Sequence, residues 1–218
     1  MNGLKSQDVG LLLKLISLEK AENKIKAEIN SSDCLFAWQD WDKDELDELV
    51  DAPELLKLPE FQRSVYSLRS LESSTGISKS QVSLGLKRSQ SVGLLIYERS
   101  TQLPRVNKKA LQELLYYGLK YFVPAQKGSL GRGIATAFAA PVLNKKLKSA
   151  GDTLPVWPDS KGNTQGVKIE PLFKSVPHAV KRDPELYALL ALVDAIRLGL
   201  PRERKLAQEL LVQRLEDI

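Results

Sequence analysis

Apolar residues recur along most of this chain at helical spacing, and the densest set of signals lies between Val65 and Gly93. Val65, Leu68 and Leu71 fall three apart, the repeat that gathers side chains on one face of a helix. Gly76 follows where a helix ends and the chain needs a left-handed residue. Ser78 offers a hydroxyl oxygen as N-cap to a second helix reaching about Ser89. In that helix Ile77, Val82 and Leu86 point inward with Gly85 beside them. The opposite side carries Lys79, Ser80, Ser83, Lys87 and Arg88, with Gln81 at its edge. Gly93 to Tyr97 then reads as a β-rich run, Glu98 to Arg105 as polar, and Val106 as strand-like.

Helix, glycine-bearing turn and capped helix have the spacing of a helix-turn-helix. The hairpin after it takes the place of a wing. Small hydroxyls and an amide let a helix approach base edges, while basic side chains at its end reach phosphates. On this reading Ser78 opens the recognition helix, and Lys79, Ser80, Gln81 and Ser83 read bases. Lys87 and Arg88, with Arg99 and Arg105 from the wing, hold phosphates. A short amphipathic helix with a solvated basic face is the plainer alternative.

Upstream, Ser6-Gln7-Asp8 leads into the apolar Val9–Ile16 stretch, an opening core helix. Residues 21–60 read as an insertion, because a helix-turn-helix domain needs only a short link there. Within it Leu46, Leu49 and Val50 make one side of an acidic helix. Its expected role is a packing hairpin, with an acidic partner-binding surface as the alternative. Downstream, Asn107 caps a helix over residues 108–122 whose stripe is Leu111, Leu114, Leu115, Leu119 and Phe122. That stripe serves a dimer interface or packing within one subunit, and the residues do not choose. The three glycines in 128–133 around Arg132 predict a tight structural loop; the Gly-Lys-Ser/Thr ending of a phosphate-binding loop is missing. Strand candidates at 154–157 and 166–169 flank a hairpin tip at Asp159–Asn163. Asp183 caps a helix starting at Pro184 and ended by Gly199, and Pro201 opens a final helix carrying Leu206, Leu210, Leu211 and Leu215.

The 218 residues carry a formal charge of +5. Asp40 to Glu60 holds nine acidic residues and two lysines, a net of −7, which leaves +12 on the rest. Such an excess suits a polyanionic partner. Cys34 is the single cysteine, which excludes an internal disulfide and fits a reducing compartment. No leader pattern precedes residue 20, and no apolar run approaches the roughly 18 residues of a membrane span. The expectation is a cytoplasmic protein without membrane contact. His178 is the only histidine, so a metal site built on paired histidines is excluded. It reads as a loop or cap residue and Cys34 as a core thiol. The charged corner of Asp194, Arg197, Arg202, Glu203 and Arg204 reads as mutual ion pairing, with a phosphate site as the less favoured option. No catalytic set, metal or cofactor is expected, and the chain does not read as an enzyme.

Gly76 to Leu95, GISKSQVSLGLKRSQSVGLL, resembles MarR-like winged-helix regulators. Glu72 departs from that pattern, which places alanine there for close helix contact. The stretches KYFVPAQKGSLGRGIATAFAAP, PVWPDSKGNTQG, EPLFKSVPHAV and LVDAIRLGLPRERKLA also resemble the C-terminal part of a group of bacterial winged-helix proteins, some of which accompany toxin–antitoxin or defence genes. The resemblance implies a bacterial or phage-related regulator. Together these readings predict a mainly α protein with small β elements. A winged helix-turn-helix domain would span 1–122, and an α+β region ending in two helices would span 123–218. The expected function is a homodimeric, sequence-specific binder of double-stranded DNA that represses transcription. The alternative is an antitoxin-like module that masks a protein partner.

Overall fold

The computed structural model describes residues 3–26, 39–41, 63–144, 153–199 and 201–216. The expected acidic helix near Asp44–Val50 and Cys34 lie outside the described residues. The described chain is mainly helical with small sheets.

Helix α1, Ser6–Lys26, is longer than the Val9–Ile16 stretch that announces it. Leu11, Leu12, Leu13, Leu15 and Ile16 are all buried, so its apolar residues are not confined to one stripe. A helix buried on several sides belongs at the centre of a core. After a helical turn at 63–65, α2 spans Leu68–Thr75, with Ser67 Oγ accepting from the Ser70 N–H at 3.2 Å. Gly76 has φ +68°, the left-handed conformation expected of it. Helix α3 spans Lys79–Ser91. Strands β1, Leu95–Tyr97, and β2, Pro104–Val106, pair antiparallel with Ile96 opposite Arg105.

Asn107 caps α4, Lys108–Glu113, by accepting from the Ala110 N–H. The helix continues through a π turn at Leu114–Gly118 into α5, Leu119–Phe122. Leu111, Leu115 and Leu119 stay fully buried at a spacing of four. The wider π turn offsets the angular drift that a 3.6-residue helix accumulates at that spacing. Phe122 breaks the expected stripe and is exposed.

The glycine-rich segment is not a loop. It forms β3, Lys127–Ala135, which pairs antiparallel with β4, Pro155–Pro158, and with β5, Thr164–Ile169. β4 and β5 are parallel to each other, which closes the three strands on themselves instead of leaving the expected hairpin. Gly133 and Gly162 make this closure feasible: a Cβ on Gly162 would lie 2.1 Å from the Gly133 backbone, and one on Gly133 would lie 2.0 Å from the Trp157 carbonyl oxygen. Two short helices, α6 at Pro141–Asn144 and α7 at Val176–Val180, lead to α8, Pro184–Leu198, and α9, Pro201–Glu216.

Asp183 caps α8 as expected, accepting from the Leu186 N–H at 2.9 Å. Every residue from Glu185 to Arg197 is buried. α8 therefore runs through the middle, and α1 packs beside it. Their contact is tied by Lys14 Nζ to Asp183 at 2.8 Å and by Ser17 Oγ donating to the same carboxylate. One continuous apolar core, from Val9 to Leu215, holds the N-terminal and C-terminal halves together.

Candidate nucleic-acid interface

Helix α3 sits on α1 through Val82, Gly85 and Leu86, all buried. That seating turns Ser78, Lys79, Ser80 and Lys87 outward, where all four are exposed. Neither lysine makes an ion pair among the described residues. Ser83 and Gln81 are half-buried, and Gln81 Oε1 accepts from Gln7 Nε2 on α1 at 2.9 Å. Gln81 is thereby held at the edge of the face rather than free to swing.

Ser78 occupies the N-cap position of α3 but its side chain caps nothing. Glu72 does that work, its Oε1 accepting from the Lys79 N–H at 2.9 Å. Glu72 thus supplies the helix cap, and its negative charge lies at the positive end of the α3 dipole. Thr75 Oγ1 accepts from the Ile77 N–H at 3.2 Å and completes the turn.

Two of the expected phosphate contacts are engaged elsewhere. Arg88 is buried, and its Nε and Nη2 donate to the two Asp8 carboxylate oxygens at 2.8 and 2.7 Å. The same Asp8 accepts from the Lys5 N–H at the start of α1. The guanidinium sits on the inner side of α3, at the spacing that Val82 and Gly85 share, and its role is to fasten α3 to α1. Arg105 is half-buried on β2, with Nη1 3.0 Å from Glu22 Oε2 and 3.1 Å from the Tyr66 hydroxyl, and Nε 3.3 Å from Glu98. Burial, reinforced by the Glu22 charge, pushes the Tyr66 hydroxyl far above its ordinary value, so it stays neutral beside that carboxylate. Arg105 anchors the β1–β2 hairpin to α1. Of the two hairpin arginines, Arg99 stands exposed at the tip, without an ion pair among the described residues. The tip is braced by Glu98, whose carboxylate accepts from the Thr101 and Ser100 hydroxyls; these bonds hold its pKa below the usual carboxylate range.

The C-terminal region clamps the turn between α2 and α3. Ser175 Oγ donates to the Thr75 carbonyl at 2.8 Å, and a Cβ on Gly76 would lie 2.7 Å from Ser175 Cβ. His178 on α7 sits 2.9 Å from the Ser73 carbonyl through Nε2, while Arg182 Nη1 approaches Nδ1 at 2.9 Å. A carbonyl only accepts, so Nε2 carries the proton and Nδ1 receives the Arg182 N–H. The histidine is a brace.

Of the charged corner at the end of α8, Asp194 and Arg197 are paired with each other and Arg204 Nη2 donates to the Gly199 carbonyl at 3.0 Å. Asp194 accepts from Trp157 Nε1 at 2.6 Å, Thr136 Oγ1 at 3.0 Å and Arg197 Nη1 at 2.6 Å. Arg197 also donates to the carbonyls of Val123, Pro124 and Glu170. Both side chains are 1% exposed, which leaves no room for a phosphate. No group of three or more metal-ligating side chains occurs among the described residues, and no described helix is long and apolar enough to cross a membrane.

Leu84 also stands on the outer face of α3, though the basic and hydroxyl pattern does not single it out. It is 46% exposed on α3, four residues after Ser80 and three before Lys87. Its position on the helical wheel was available from the sequence alone. Comparison with known protein families, curated proteins and solved structures gives no match.

Proposed function

We propose that this protein is a sequence-specific DNA-binding transcription regulator whose α3 enters the major groove. The observation that carries this reading is the division of α3: its apolar side and Arg88 are used to seat it on α1, and Ser80, Lys79 and Lys87 are presented to solvent, the two lysines without an ion pair among the described residues. Lys79, Ser80 and Ser83 read bases from the N-terminal half, with Gln81 at the rim. Lys87 and the wing-tip Arg99 hold phosphates. Regulation by repression requires only that the site be occupied.

The protein acts as a homodimer on two half-sites about one helical turn apart, roughly 10 base pairs. Lys109, Glu113, Tyr117 and Tyr121 support this, forming an exposed stripe at a spacing of four. Antiparallel packing of two copies sets Lys109 of one against Tyr121 of the other, a cation–π contact, and Glu113 against Tyr117.

Selection of bound fragments from the source genome, followed by anisotropy titration in rising salt, tests the proposal. One enriched sequence with two related halves is expected, and Lys79→Ala/Lys87→Ala should weaken its binding. Enrichment of no sequence, or unchanged affinity and salt dependence in the double variant, refutes it.

A further inference from the structure

We infer that Leu84 is a specificity-determining residue that reads the C5-methyl group of thymine; this rests on α3 being the recognition helix. Every other exposed position of α3 is polar: Lys79, Ser80, Lys87, Gln90 and Ser91. Leu84 is the exception, at 46% exposure, on the same side as Ser80 and Lys87. The inward side is already complete, with Val82 at 0% and Leu86 at 6%, so Leu84 is not a displaced core residue.

In a major groove the one apolar feature on a base edge is the thymine methyl. An isobutyl group at mid-helix, with the smaller Ser80 one turn before it and Lys87 one turn after, meets the groove floor where its neighbours meet polar edges or the backbone. Ser80 is short enough not to hold Leu84 away from the bases. The preference arises because the same contact against cytosine sets Leu84 beside an amino group that would lose its water.

The experiment removes the methyl and the side chain separately. On the selected operator, each thymine is replaced in turn by deoxyuridine, which differs only by that methyl, and affinities are measured for the wild type and Leu84→Ala. The expected result is a loss of about four-fold at one or two thymines of each half-site, the value of about 0.8 kcal/mol for one buried methyl. In Leu84→Ala those positions should no longer distinguish the two bases. Leu84 is exposed, so the variant should keep the wild-type melting temperature. If the wild type is indifferent to deoxyuridine, or Leu84→Ala discriminates as the wild type does, the inference is overturned while α3 remains the recognition helix. If no operator is bound at all, both it and the proposed function are overturned.

Discussion

Lys87 and Arg88 are adjacent in sequence, and alanine substitution should affect different properties in the two cases. Arg88 is paired bidentately with Asp8, with side-chain exposures of 10% and 1%. Arg88→Ala leaves the Asp8 carboxylate buried with the Lys5 N–H as its remaining partner among the described residues. Breaking a buried pair from one side costs about 3–5 kcal/mol. In a chain of this size each kcal/mol moves the melting temperature by about 2–4 °C, so a fall of about 6–20 °C is expected. Lys87→Ala should change stability by less than about 0.5 kcal/mol. It should instead lower the slope of log affinity against log salt by about 0.9 for each subunit on DNA. Thermal unfolding followed by tryptophan fluorescence, with Trp157 buried as reporter, separates the two effects from the salt titration. Asp8→Asn added to Arg88→Ala should recover part of the loss, because the neutral amide oxygen still accepts from Lys5 and no charge stays buried. The account of α3 is wrong if Arg88→Ala melts within 1 °C of wild type. It is equally wrong if Arg88→Ala, measured well below its melting temperature, loses the salt slope that Lys87→Ala is expected to lose.

Three further outcomes follow from the packing. Gly76→Ala should lower the urea midpoint, since a left-handed alanine costs about 1–2 kcal/mol and its methyl would also crowd Ser175. Asp194→Asn should destabilise by about 3–5 kcal/mol and shift the Trp157 emission, because Arg197 loses its only carboxylate partner among the described residues. Burial pushes the Tyr116 hydroxyl, which donates to the Gln208 carbonyl, up to about 12 from its ordinary 10.0. A pKa raised on folding adds stability that is present below pH 10 and lost as pH rises towards 12. Tyr116→Phe should therefore show a smaller loss across that window than wild type in denaturant titrations.

Where helices begin and end was legible from the chain because caps act locally. Asn107 and Asp183 bond to N–H groups three residues on, and Gly76 adopts the left-handed turn that follows from its lacking a Cβ. The outward placement of Lys79, Ser80 and Lys87 follows from helical period and from the apolar residues opposite them. Which basic residues remain available was not legible. Arg88 is separated by 80 positions from the aspartate that claims it, and Arg105 on β2 is held by Glu22 on α1. The cap of α3 passed from Ser78 to Glu72 because the returning chain brings that carboxylate to the Lys79 N–H. The strand at 127–135 was hidden for a related reason: Gly133 marks close backbone crossings with Trp157 and Gly162, which are distant in sequence, and such a crossing leaves no periodic trace. Period and local caps thus settled the main helices and the face that α3 shows, because both depend on residues within about one turn of each other. Tertiary packing decided which charges are spent internally, because that depends on partners met only after the chain has folded back on itself.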